Sequence, residues 1–371
     1  MLRTYNNENW QAIYYSYGFE GRLDKKWILT QDKPELRTEI SYVYNNAGQV
    51  LQQHTKVGSS QHMYHFYTYD VYGRLKEVYV HTTANRPNTP LATYSYDHEG
   101  KLIHKNMEGI TKASLWYTYD EQGRVQTIRN HADKNKFANF NQTLSYNTNG
   151  TIQSIDVTNN AFARNEYFFS FSYDVLHRMK AANYSSVLDL PPHNSRDVKN
   201  ITYDKHANIL SLDRYENLSK LMDDLTYQYE HRKNRLVSVS DGVATTNDNQ
   251  WDAEDQTFAY DLDGQLSSST KDGGGGFDAI TYSTAGIPTG MAEDNGDIHT
   301  YLYNSEGWRI YKKTENNAGS VFNKEHYIMD GATMLAVTDA AGNIVHWNMS
   351  GNELLGRQFP METAECMCMI I

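Results

Sequence analysis

Cysteine is almost missing from this chain. The two that occur, Cys366 and Cys368, sit together near its last residue. The body therefore has no disulfide framework and no Cys-x2-Cys zinc pattern. Long apolar runs are missing too. No stretch approaches the about 18 consecutive apolar residues of a membrane-spanning helix. No apolar h-region of a signal peptide stands near the start, so export would have to follow a specialised route. Proline is scarce, with 7 in 371 residues, and there are no long blocks of like charge, which argues against a disordered chain. Positive charge is outnumbered: 34 Lys and Arg face 45 Asp and Glu, for a formal net charge of −11. Nucleic acid and anionic membrane surfaces both require clustered basic residues, so neither is expected as a partner.

What the chain does have is tyrosine. Hydrophobic residues make up 39% of it, below the about 45–50% of ordinary globular chains. Much of the difference is made up by 29 Tyr, against 12 Phe and 6 Trp. A fold with tyrosine in its core keeps each ring apolar and gives each hydroxyl a partner. Flat, half-buried strand surfaces suit that better than a helical interior.

The tyrosines recur. Tyr67-Thr-Tyr69-Asp70-Val-Tyr-Gly73-Arg74-Leu75, Tyr94-Ser-Tyr96-Asp97-His-Glu-Gly100-Lys-Leu102, Tyr117-Thr-Tyr119-Asp120-Glu-Gln-Gly123-Arg124-Val125 and Phe258-Ala-Tyr260-Asp261-Leu-Asp-Gly264-Gln-Leu266 are four copies of one unit. Its anchor tyrosine stands at 17, 44, 69, 96, 119, 146, 173, 203, 229, 260, 282 and 303, at spacings of 21 to 31 residues. Tyr-x-Tyr places both rings on one face of a strand. Asp-x-x-Gly fits a type I turn with Asp first and Gly fourth, and the carboxylate can bond the turn's own N–H groups. The Arg-Leu or Lys-Leu that follows starts a returning strand. One repeat is thus about one hairpin plus a linking turn. At 177, 207 and 233 the expected Gly is His, Ala and Lys, which predicts longer or reshaped turns there. Single hairpins are marginal in water; side by side they bury a continuous aromatic face, and stability becomes a sum over neighbours. The expected fold is all-β: tandem β-hairpins forming a long ribbon that curls because strands twist. Gly273–Gly276, His131–Phe140 and Pro191–Arg196 read as longer loops on its rim.

These units resemble the YD repeats of Rhs proteins, which also occur in the C components of bacterial Tc toxins and in animal teneurins. Two further stretches are similar to that family. Leu225-Thr-Tyr227-Gln-Tyr229 with Asn234-Arg235-Leu236 matches its Tyr-x-Tyr…Asn-Arg-Leu repeat. His326-Tyr-Ile-Met-Asp330-Gly331, continuing through Asp339, Gly342 and Asn343 to Gly351 and Gly356-Arg357, resembles the start of its Rhs-associated core, in a Bacteroidetes-like form. The resemblance spans about residues 12–360. It divides the chain into YD repeats over 1–326, the core start over 327–360 and an unrelated tail over 361–371. It implies a curled β-ribbon wound into a hollow shell, a β-solenoid-like cocoon, with an unpaired edge for so short an array. It also implies the role of a structural scaffold for an Rhs-type toxin or secreted effector. The partners would be a toxic cargo polypeptide, a complementary shell chain or a delivery-machine component. The setting would be secreted or cell-surface, with the chain cytoplasmic before export. An adhesion module recognising surface glycans or proteins is the alternative, and a glycosidase a more distant one. The family's Asp-Pro self-cleavage motif has no counterpart here, so no autoprotease residues carry over.

Catalytic and metal chemistry find little to work with. The turn aspartates recur once per repeat, as turn chemistry requires and catalysis does not. Asp261-Leu-Asp263-Gly264 is a scrap of a calcium loop without the remaining ligands. No His-Glu-x-x-His or Gly-x-Ser-x-Gly is present, and the Gly273–Gly276 run lacks the Lys-Ser/Thr of a phosphate loop. No cofactor and no enzyme activity are expected. Cys368-Met-Ile-Ile371 has the Cys-a-a-X form, and Cys366 could carry a second acyl chain, although no basic cluster precedes them.

Overall fold

The computed structural model describes residues 2–4, 11–30, 33–107, 113–130, 140–159, 165–186, 196–216, 220–231, 233–243, 255–359 and 367–368. They form 30 β-strands and one short 3-10 turn, Pro34–Leu36. Each defined register is antiparallel and joins strands adjacent in the chain, as in Gln61–Tyr69 with Leu75–His81 and Phe140–Tyr146 with Ile152–Asn159. The fold is the all-β ribbon of hairpins that the repeats predict.

One local device repeats. Tyr64 through Thr68 pair residue for residue with His81 through Glu77, and then the register slips so that Tyr69 faces Leu75. The same slip precedes Tyr17, Tyr44, Tyr96, Tyr119, Tyr146, Tyr173, Tyr203, Tyr229, Tyr260 and Tyr303. Its cause lies in the turn. The Asp70 carbonyl accepts from Gly73 N–H at 3.0 Å, and Asp70 N–H donates to the Arg74 carbonyl at 2.9 Å. Gly73 has φ +80°. This is a type I turn closed by a left-handed residue that makes a bulge; glycine adopts that conformation without steric cost.

The three repeats without this glycine divide. His177 and Ala207 hold φ at +62° and +68°, with their N–H groups on the Asp174 and Asp204 carbonyls at 3.0 and 3.2 Å. Those turns are neither longer nor reshaped, because the flanking ladder forces the standard geometry on a residue that does not favour it. The turn at Lys233 is longer by one residue, Glu230 N–H reaching the Arg235 carbonyl. Gly273–Gly276 forms a hairpin turn whose Gly275 and Gly276 N–H groups donate to the Asp294 carboxylate. Residues 131–139 and 191–195, the other two expected loops, lie outside the described residues.

The chain folds into two compact units: Met1–Ala113 with Tyr282–Met291 and Gly296–Ile371, and Ser114–Thr281 with Ala292–Asn295. In the first, the ends of the ribbon pack on each other. Ile13, Ile28, Ile40, Val57 and Met63 share a core with Ile328, Leu335, Ala336, Ile344 and Trp347. Leu75, Val78 and Tyr94 share another with Met349 and Leu355. The first and last strands, Leu2–Thr4 and Met367–Cys368, each pair with a single neighbour among the described residues, so the ribbon is not closed edge to edge.

The second unit is built differently. Among its described residues, Tyr184, Ile201 and Leu225 are the hydrophobic side chains that count as buried. Along Gln256–Tyr260 and Leu225–Tyr229 the apolar positions are half-buried or buried and alternate with exposed ones. The exposed positions carry cross-strand hydroxyl pairs, Thr118 with Thr127, Thr202 with Ser211 and Thr257 with Thr270, so one face is polar and the other aromatic.

The strained turns give a direct test. Replacing Ala207 by Gly relieves a left-handed non-glycine residue and should stabilise the chain by about 1 kcal/mol. Gly264→Ala should destabilise it by at least about 1 kcal/mol, because the new Cβ meets the Arg235 guanidinium. Urea denaturation of both variants measures the difference, and equal midpoints would remove the turn argument.

Candidate functional site

Each predicted anchor set sits at its own hairpin tip. Tyr69, Asp70 and Gly73, then Tyr96, Asp97 and Gly100, then Tyr119, Asp120 and Gly123, then Tyr260, Asp261 and Gly264 occupy equivalent places in successive turns. They do not converge on one centre. What they build is a chain of clips.

The clip begins at the carboxylate. Asp70 Oδ1 accepts from the backbone N–H groups of Tyr72 and Arg74, each at 2.9 Å, and Oδ2 from Arg74 Nε at 2.6 Å. The aimed guanidinium then reaches the next repeat: Arg74 Nη1 donates to the Asp97 carbonyl at 3.0 Å and lies 4.7 Å from the Tyr96 ring centre. The Tyr96 hydroxyl completes the clip by donating back to the Leu75 carbonyl at 2.9 Å. In the second unit Arg178 repeats the pattern with Asp174, the Asp204 carbonyl and the Tyr203 ring. Tyr44, Tyr69, Tyr146, Tyr173, Tyr203 and Tyr260 donate to the equivalent carbonyls of Leu23, Val50, Val125, Ile152, Met179 and Leu236. Each satisfies a backbone acceptor that the bulge releases from the ladder. The tyrosine-based reading missed two turns of the same kind, Asn316–Ser320 and Asp339–Asn343, because Glu315 and Thr338 stand where the anchor ring would be. The Asn/Asp-x-x-Gly spacing would have found them.

A second constellation was invisible to the repeat. In the first unit Asp330 collects three partners from strands some three hundred residues away in sequence. Oδ1 lies 3.3 Å from Lys26 Nζ, and Oδ2 accepts from the Tyr42 hydroxyl at 2.6 Å and from Gln53 Nε2 at 3.0 Å. The Lys26 side chain is 5% exposed. Burial first, then the Asp330 charge, pushes the Tyr42 hydroxyl far above its usual range. Nearby, Gln61 holds the 339–343 turn by donating to the Gly342 carbonyl and accepting from Ile344 N–H, while buried Lys105 pairs with Glu353 at 2.6 Å. All three contacts fasten the strands after Val321 onto the early ones.

Compared with known proteins by sequence, the chain matches no family model and no curated protein. By structure it is similar to the crystal structure of TcdB2-TccC3-Cdc42, with a TM-score of 0.53 and 15% identity over 92% of this chain and 18% of that one. The TcdB2-TccC3 structure without its hypervariable C-terminal region gives 0.53, 15%, 89% and 18%. The Tc holotoxin pore of Photorhabdus luminescens gives 0.51, 15%, 93% and 18%. The fold is that of a part of these Tc toxin chains. In this Tc-type fold the clip residues serve architecture. Among the described residues no group of three or more His, Cys, Asp or Glu could hold a metal, and no helix is long and apolar enough to cross a membrane. Cys366 lies outside the described residues. Cys368 is described only as the end of the strand Met367–Cys368.

Removing Asp330 as Ala leaves Lys26 buried without its counter-charge, and should cost about 3 kcal/mol, read by urea denaturation; a loss below that of an exposed pair would show that Lys26 finds another partner. The pH dependence has a definite sign. Burial lowers His65 from 6.5 to about 4, so the unfolded chain binds that proton more readily. Stability then falls as pH drops through 6.5 and levels off near 4, with a loss of about 2 kcal/mol between pH 7 and pH 5. Below the usual 3.8 of aspartate a further loss sets in, because the backbone N–H of Arg178, then its guanidinium against the cost of desolvation, lowers Asp174. Unfolding midpoints that do not move between pH 7 and pH 5 would refute the His65 contribution, and His65→Leu should reduce that slope by its share, the part due to His326, which burial also lowers to about 4, remaining.

Proposed function

We propose that the chain is a structural scaffold of a toxin-type shell whose tyrosine-bearing face accommodates or presents a polypeptide cargo. One observation carries this reading. The second unit holds its strands in register with clips and hydroxyl ladders, yet leaves the apolar side of its repeats, Phe171, Tyr173, Tyr203, Phe258 and Tyr260 among them, half-buried and, among the described residues, without a packed second layer. A continuous apolar face of this kind marks an interaction surface. The first unit covers the same face with its own C-terminal strands. The likeness to Tc toxin chains supports the scaffold role. A larger assembly, formed with a complementary chain or a delivery component, is part of the proposal, as are export by a specialised route and the absence of enzymatic activity. The regular use of the repeat aspartates, such as Asp70, Asp97, Asp120 and Asp174, as turn ligands supports that last point.

The test is protection of an unfolded, reduced and alkylated polypeptide from protease. The chain should slow its digestion at near-equal stoichiometry, and the double variant Phe171→Asp, Phe258→Asp should lose that protection while keeping its β-type circular dichroism. Digestion at an unchanged rate with the unmodified chain would defeat the cargo reading. Selective retention on a glycan array would then favour an adhesion module.

A further inference from the structure

In the first unit a cavity of about 100 Å³ lies where the strands Gln11–Tyr17 and Leu23–Thr30 meet Arg309–Glu315 and Val321–Asp330. Ile13, Ile28, Ile310 and Ile328 line its apolar part, while Thr30, Lys33, Asn304, Lys324 and His326 bring polar groups to its wall. Lys324, His326 and Ile328 fall at alternate positions of one strand and therefore share a face. We propose that this cavity binds a small monocarboxylate with a short branched aliphatic body, the carboxylate meeting Lys324 and His326 and the hydrocarbon meeting the isoleucines.

The charges around the cavity support an anion. Lys33 is already paired with Glu35 at 3.2 Å. Lys313, opposite Lys324 in the ladder, is paired with Glu315 at 2.7 Å. Among the described residues Lys324 makes no ion pair, and its ammonium stands 6.0 Å from the Tyr311 ring centre. His326 Nε2 is buried without a hydrogen-bond partner among the described residues; its ring packs 4.9 Å from Tyr311. Burial, then Lys33 and Lys324, lowers this histidine to about 4, so near neutral pH the ring is uncharged and can donate one N–H to a carboxylate oxygen. A buried polar atom left unmatched is costly, and a carboxylate satisfies both the ring and the ammonium at once. Size sets the body: an apolar cavity of about 150 Å³ takes benzene, so a space of this volume suits about four carbons beside the carboxylate.

The test titrates the chain with 3-methylbutanoate, with its neutral isostere 3-methylbutanamide and with acetate. Binding is followed by calorimetry and by protection of His326 from diethylpyrocarbonate. The acid should bind saturably and at least about tenfold more tightly than the amide, the effect of one charge-assisted hydrogen bond. It should also surpass acetate and protect His326. Lys324→Met should abolish the preference for the acid, and Ile310→Phe should fill the cavity and remove binding. Equal affinities for acid and amide, absence of saturable binding, or a Lys324→Met chain that keeps the preference would each overturn the proposal. The comparison on the unmodified chain decides it even where a variant fails to fold.

Discussion

The structure depends on a single offset. A turn that ends in a left-handed residue makes a bulge, and the register moves by one position immediately before eleven of the twelve anchor tyrosines. Strand side chains alternate with period two, so an unplaced slip would turn every apolar residue to the wrong face. Repeating the slip at the same point in each hairpin keeps the rings on one side. The tyrosine hydroxyl then takes up a carbonyl of the preceding repeat that the bulge has freed. The aspartate orients the arginine that reaches the following repeat. Turn, bulge, ring and guanidinium form one unit of hydrogen bonding, and the ribbon is that unit propagated by contact between neighbours.

Because the clips carry register without needing a packed interior, the aromatic face is available for more than one use. In the first unit it is covered from within the chain. Trp347, Met349 and Leu355 enter the cores of the early strands, and Asp330 fastens them by gathering Lys26, Tyr42 and Gln53. The ionic contact orients more than it stabilises. A buried pair roughly balances its desolvation, whereas a buried lysine left alone is strongly unfavourable, so the hub selects one docking of the segment over others. In the second unit no segment of comparable apolarity covers the face among the described residues, and that contrast is the physical basis for the scaffold reading.

The likeness to Tc toxin chains at 15% identity is understandable in the same terms. The turn takes an acceptor side chain, usually Asp or Asn and Ser at 283, and the clip adds a residue that tolerates positive φ and a tyrosine at fixed offsets; the intervening positions answer only to alternation. Sequences can therefore diverge widely while the ladder geometry persists. His177 and Ala207 show how far that tolerance extends, since even the glycine yields when the ladder on both sides is intact.

The sequence by itself determined the hairpins, their turn type, the strand that follows each turn and the face that carries the rings, because these rest on local spacing: Tyr69, Asp70, Gly73 and Leu75 interact within a few residues. The anchor tyrosines alone did not mark Asn316 and Asp339 as starts of the same turn, since a Glu and a Thr replace the ring, although the Asn/Asp-x-x-Gly spacing there carries it. The sequence could not reveal the joining of Asp330 to Lys26, Tyr42 and Gln53, the grip of Gln61 on the 339–343 turn, or the cavity beside His326. Only the tertiary structure decided these, because they pair residues nearly three hundred positions apart, and no local period encodes which late strand will lie over which early one.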